Sequence, residues 1–252
     1  MQSLMMRTVG AFSILGLFAI SPILMSAKNA DPVILKSPAP VVVNKNNPVS
    51  EEALLKEEAL SMYEEMELED IGLSSTAFEY AWKGYNHLLD KKKIRKKEIL
   101  TICDFSQSSR NKRLYIIDVD ANKVLINTYV AHGRNSGGEY AKSFSNLPES
   151  HKSSLGFYIT QQTYFGVHGL ALKINGVEKG INDKANARHI VIHGSEYIGD
   201  KFLRDNPFNG RSFGCPAVPE KETKEVINTI KNGSCFFIYH PSSTYIKKST
   251  II

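Results

Sequence analysis

Residues 210–219 read GRSFGCPAVP and hold the side chain best suited to chemistry, Cys215. It is one of three cysteines and lies in a turn-rich loop between Gly214 and Pro216. Cys103 in ILTICDF and Cys235 in SCFFIY lie instead in apolar runs that read as buried strands, where a cysteine behaves as a small hydrophobe. An odd cysteine count in an exported chain leaves at least one thiol free or paired between chains. A Cys103–Cys235 bridge would leave Cys215 free. Pro216 pushes the residue before it toward extended backbone, so Cys215 does not sit at a helix N-terminus, and a nearby base must help to ionise it. Pro216 also has no N–H. Donors for an oxyanion must then come from the amides of Cys215 or Gly214, or from a nearby hydroxyl. Gly214 lets a substrate carbonyl approach the backbone, and Ser212 is placed to orient the loop or the base.

Histidine is the usual partner of a nucleophilic thiol, and the chain has seven. His193 follows the buried-strand run IVI, so it ends a strand, and Gly194 leaves room beside its ring. His168 in GVHG and His132 in AHG are the second and third candidates; His189 begins the strand that His193 ends. His168, His189 and His193 could form a metal cluster, but carboxylate spacing does not support one, and no Cys-x-x-Cys or His-Glu-x-x-His pattern gives zinc a compact signature. No Walker loop or GxGxxG is present. No cofactor is expected.

The elements that must position these residues follow from periodicity. Ser50–Asp70 reads as a helix capped by Ser50, with Glu51 and Glu52 in its first turn. Thr76–Lys93 reads as a second, with Thr76 and Glu79 at capping-box spacing and Phe78, Ala81, Trp82, Tyr85, Leu88 and Leu89 on one face. That stripe reads as core contact with the following domain. The basic run Lys91–Lys97 reads as a solvated helix end, with an anionic membrane or wall polymer as its alternative partner. Strands are expected in ILTICDF, RLYIIDV, KVLINTYV, LGFYITQQTYF, RHIVIHG and SCFFIYH. Asn175–Gly176, between ALKI and VEKGI, reads as a hairpin turn. Pro219 is expected to start a late helix that Gly233 ends.

The chain is 252 residues long with a formal net charge of +5, too weak a charge to argue for nucleic acid. Arg7 precedes the apolar run Val9–Ile20, the layout of a secretory signal peptide. Leu24 or Met25 would stand at the −3 position of a cleavage site, which is poor. Thr8–Met25 is long enough to be an uncleaved membrane anchor. The expected organisation is a signal peptide or anchor over 1–27, a proline-rich linker over 28–49, a helical region over 50–98, a mainly β domain over 99–240 and a tail over 241–252.

IHG at Ile192–Gly194 followed by SFGC at Ser212–Cys215 resembles the L,D-transpeptidases of bacterial cell walls, with their YkuD-like fold. AHGRNSG, FSN, SSLGFY, GVHGLAL, RHIVIHGSEY and GRSFGCPAVP resemble the murein L,D-transpeptidase catalytic domain branch, over about Ile99–Tyr239. The resemblance implies a mainly β, sandwich- or barrel-like catalytic domain with a late helix. It implies Cys215 as nucleophile and His193 as base, with Ser212 and Gly214 shaping the loop. Arg211, Gly194, His168, His132 and Asn146 become candidates for substrate contact. The implied partners are peptidoglycan stem peptides, and the implied place is the periplasm or cell envelope. Water as acceptor would make the enzyme an L,D-carboxypeptidase, and a wall-binding module with a silent site is a third reading. Three departures stand out. Phe213 replaces a His or Lys of many relatives. Pro216–Ala217 replaces an Arg or Asn, a contact that Arg211 could supply. The stretch SEYIGDKFLRDNPFNGR between His193 and Ser212 is longer, implying a larger flap over the site.

Overall fold

The computed structural model describes residues 50–167 and 169–252. The expected leader, the proline-rich linker and His168 lie outside the described residues. The chain opens with α1 (Glu51–Glu65), whose cap Ser50 accepts a hydrogen bond from the amide of Ala53. Next comes α2 (Ser75–Asp90), capped by Ser74 rather than by Thr76. The serine two positions earlier reaches the Ala77 amide, and Thr76 falls inside the helix.

Eight strands follow: β1 (Ile99–Asp104), β2 (Leu114–Asp118), β3 (Lys123–Thr128), β4 (Gly156–Gly166), β5 (Gly169–Gly176), β6 (Val191–Ser195), β7 (Ala217–Pro219) and β8 (Cys235–Tyr239). They form one sheet in the order β3-β2-β1-β8-β4-β5-β6-β7. Central β1 and β8 pair in parallel and are buried at every position, which is why their sequences read as continuous apolar runs. Just past β3, the amide of Ala131 donates to Ala217 of β7 at 2.8 Å. That bridge joins the two edges, so the sheet is nearly a closed barrel. The fold is mainly β, as the sequence suggests.

The buried face of α2 enters this core directly. Tyr80 meets Tyr239 at the end of β8. At Gly84 a Cβ would lie 2.0 Å from the Phe157 ring. Phe157 is fully buried and stacked on Phe237 at 4.1 Å, so its ring has nowhere to move. Helices and sheet therefore share one hydrophobic cluster. Gly84→Ala is expected to destabilise the protein by about 1–3 kcal/mol despite alanine's better helix propensity, a fall of several degrees in melting temperature. An unchanged melting curve would mean that α2 does not rest on Phe157.

Two local expectations are corrected, and two points the sequence left open are resolved. Asn175–Gly176 is not a hairpin turn; it lies within β5, opposite Ile159 and Tyr158 of β4. Gly176 is there because the Asn182 backbone passes where its side chain would be, 2.1 Å from a built Cβ. The β4–β5 turn lies between Gly166 and Gly169 instead. Pro219 ends β7; a short 3-10 turn (Glu220–Glu222) precedes the late helix α4 (Thr223–Ile230). The 241–252 segment contains a helix, α5 (Ser243–Lys248). Its Tyr245 hydroxyl, with Ser249 just beyond, donates to the buried carboxylate of Glu178. Finally, Leu100 pairs with Cys235 and Cys103 with Ile238. The two cysteines stand three positions apart along paired strands, about 10 Å, too far for a disulfide. Both are free and buried.

Candidate active site

Cys215 follows the flap segment and precedes β7, which pairs in parallel with β6 so that Ala217 stands beside His193. That register brings the cysteine loop alongside the start of β6, level with Val191. Cys215 and His193 line one cavity of about 670 Å3, with Arg188, His189, Tyr197, Arg211, Phe213, Tyr164 and Val167 among its other walls. Among the described residues no aspartate or glutamate lines it.

The loop is held by backbone and hydroxyl contacts rather than by the thiol. Ser212 Oγ accepts from the Gly214 amide at 3.0 Å and donates to the Cys215 carbonyl at 2.6 Å. Gly214 has φ +120°, and a Cβ there would lie 2.8 Å from the Lys152 carbonyl; only glycine suits that position. Below the loop, Ser212 pairs with the chain after β3: its amide donates to the His132 carbonyl and its carbonyl accepts from the Arg134 amide.

The Cys215 thiol is pushed above the usual cysteine range by burial, while the Val191 amide and the Arg188 guanidinium pull it back. Its Sγ lies 3.7 Å from the His189 carbonyl. Burial also pushes the Cys103 and Cys235 thiols well above the usual cysteine range.

His193 sits within β6 and is almost wholly buried. Its Nδ1 lies 2.9 Å from the Gly194 carbonyl. A carbonyl can only accept, so this bond places the proton of the neutral ring on Nδ1 and makes Nε2 the basic nitrogen. Gly194 does not serve to leave room beside the ring. A Cβ there would strike Thr223 Oγ1 at 2.1 Å, so its smallness lets the start of α4 pack on β6.

The other candidates separate. His132 is fully buried and absent from the cavity wall; its Nδ1 lies 2.8 Å from Arg113 Nη2. Burial first, and the Arg113 charge second, hold its pKa down at about 3, so it is neutral and structural. Asn146 is also away from this cavity, bonded to Asp183 and to the Lys184 amide. Arg211 lines the cavity and donates to the Gly137 carbonyl. His189 lies in the turn before β6 with φ +55°, not at the strand's start. The segment between His193 and Ser212 contains α3 (Asp200–Asp205) and is tied away from the site: Asn209 donates to the Ser109 carbonyl, Arg110 to the Pro207 carbonyl and Tyr129 to Asp200. Of this segment only Tyr197 and Arg211 reach the cavity wall, so it flanks the site rather than covering it. Phe213 is exposed at the rim, against the His151 ring and the Arg134 guanidinium.

Sequence reasoning missed Arg188 and Tyr197. A signal for Arg188 existed: an arginine immediately before a buried strand, five residues from His193.

The L,D-transpeptidase catalytic domain model matches residues 69–239. No protein of curated function matches the chain in sequence. Solved structures that align with it include an L,D-transpeptidase from Mycobacterium smegmatis, at 10% identity over 57% of this chain and 59% of that one, TM-score 0.34. Another is an L,D-transpeptidase from Mycobacterium tuberculosis, at 13% identity over 57% and 58%, TM-score 0.34. A third is the helical cell shape determining protein Pgp2 from Campylobacter jejuni, at 14% identity over 65% and 56%, TM-score 0.36. The chain spans less than two thirds of the length of each of these. The family match takes in α2, the whole sheet and both walls of the cavity, and covers well over half of the chain: this protein belongs to the L,D-transpeptidase catalytic domain family.

Proposed function

We propose that the protein is an exported cysteine L,D-transpeptidase acting on peptidoglycan stem peptides. The observation that carries this is the β6–β7 register, which sets Cys215 and His193 on the wall of one cavity. In the proposed cycle His193 Nε2 takes the thiol proton and Cys215 Sγ attacks the carbonyl of the diamino acid at stem position three. The C–N bond to D-alanine breaks, its nitrogen takes the proton from His193, and a thioester remains. The amine of a neighbouring stem then attacks, His193 takes its proton, and the thiol is restored as the new amide forms. A thioester divides one difficult amide exchange into two easier steps. The Gly214 amide is committed to Ser212 Oγ and Pro216 has none, so the amide of Cys215 itself is the backbone donor assigned to the oxyanion.

Residues 1–27 are proposed to direct export or to anchor the protein, 28–49 to link, and 50–240 to carry the catalytic unit. Among the described residues no helix is long and apolar enough to cross a membrane. Incubation with a disaccharide tetrapeptide, read by mass spectrometry, tests the reading. Dimers that have lost D-alanine are expected. Tripeptide alone would make the enzyme a carboxypeptidase, and unchanged substrate would leave a silent wall-binding module.

A carbapenem should acylate Cys215. The thiolate attacks the strained lactam carbonyl, the ring C–N bond opens, and the freed nitrogen takes the proton. Intact mass should rise by the whole mass of the drug, faster as pH increases because the thiolate is the nucleophile and burial pushes the Cys215 thiol upward. An unmodified protein after long incubation, with Cys215 still open to alkylation, would contradict this.

A further inference from the structure

We propose that Arg188, a half-buried cation in the cavity wall, supplies the positive charge that keeps the Cys215 thiol within reach of ionisation. This rests on the reading of Cys215 as the nucleophile. Arg188 lies in the turn before β6, and four of its N–H groups are spent on neutral acceptors. Nη1 donates to the Ser145 carbonyl at 2.8 Å and to Ser154 Oγ at 2.5 Å; Nη2 donates to Ser150 Oγ at 3.2 Å and to the Lys152 carbonyl at 2.6 Å. Among the described residues no carboxylate pairs with it. Neutral acceptors fix the plane of the guanidinium but do not cancel its charge.

A cation held half-buried without a counterion is unfavourable, and burial lowers its pKa. The arrangement turns favourable when an anion forms beside it. The Cys215 thiolate is that anion. A Cβ built on Gly214 would lie 3.3 Å from Arg188 Nη2, so the guanidinium packs on the residue next to the nucleophile. The sulfur also meets the Val191 amide and the His189 carbonyl, and the other titratable groups of the cavity wall are His189 before β6, His193 on β6, Tyr164 on β4, and Tyr197 and Arg211 from the flanking segment. None is an acid. Arg211 is the only other arginine in the wall, and it is exposed and turned to the Gly137 carbonyl, where solvent screens it.

The test uses the whole protein and compares the alkylation of Cys215 by iodoacetate, an anion, and by iodoacetamide, a neutral probe. At about pH 9 the histidines are neutral, so Arg188 and Arg211 are the arginine charges left in the wall. Wild-type protein should favour iodoacetate relative to a free thiol, and Arg211→Gln should retain that preference. Arg188→Gln should lose it, and at neutral pH should react with iodoacetamide about threefold to tenfold more slowly. Arg188→Lys, which keeps the charge but not the four-bonded fork, should recover most of both. A merely structural role would not follow the charge in this way. Loss of the preference in Arg211→Gln overturns the proposal, and it does so whether or not Arg188→Gln folds. An Arg188→Gln protein that labels like wild type overturns it as well. Turnover of tetrapeptide with charge-blind labelling would remove only the role of Arg188; absent turnover with sluggish labelling would remove the nucleophile reading itself.

Discussion

Cys215→Ala should reduce acyl transfer to background while moving the melting temperature by no more than about 2–4 °C, the shift expected for about 1 kcal/mol in a domain of this size. The two halves of this expectation have separate physical sources. No other thiol can take over. Cys103 and Cys235 are fully buried in the central strands, and burial drives both far from ionisation. The loop, in contrast, does not need the sulfur. Its shape is set by Ser212 Oγ bridging the Gly214 amide and the Cys215 carbonyl, by Gly214 at φ +120°, and by the pairing of Ser212 with the chain after β3. The sulfur adds a long contact to the His189 carbonyl and one to the Val191 amide. Alkylation mapping gives an independent reading on the native protein: adducts should form first on Cys215 and more quickly as pH rises. Faster adducts on Cys103 or Cys235, or turnover that survives the alanine substitution, would remove Cys215 from the chemistry.

The strands were legible because both of their faces are buried: ILTICD and CFFIY read as continuous apolar runs, the mark of central strands in a packed sheet. That Cys215 and His193 share one cavity was legible for a different reason. Strand histidine and loop cysteine are both local signals, and the family pattern supplies their order, although His193 stands in the middle of β6 rather than at its end. What escaped notice was set by distant neighbours. Asn175–Gly176 carries every local mark of a turn, yet Gly176 is small because Asn182 crosses it. Gly194 looked like space for a ring and is space for Thr223. His132 looked like a second base, yet it is buried against Arg113, nineteen residues upstream. The flanking segment reads as a cover by its length alone; contacts to Ser109, Arg110 and Tyr129 turn it aside. Each of these is a long-range packing fact, invisible to propensity and to motif spacing.

His193→Ala should lower turnover by at least about 10²-fold, the lower range for loss of an acid–base group, with a smaller effect on KM. The choice among histidines follows from how each ring is held. His193 is nearly enclosed, carried on a paired strand and fixed by its Nδ1 contact to the Gly194 carbonyl, so one tautomer and one orientation are selected before substrate arrives. His189 is exposed and sits in a turn. Its carbonyl meets the sulfur, and that contact survives substitution of the ring. His189→Ala should therefore be mild. The substitution at 193 removes a buried ring, so some loss of stability is expected, and the decisive comparison is made well below the melting temperature with Cys215 still open to alkylation. A protein that keeps a reactive thiol but no longer acylates it with substrate has lost its base rather than its loop. Should His168→Ala prove as damaging while His193→Ala is mild, the proton passes through His168 instead, and the β6–β7 register has a structural rather than a chemical purpose.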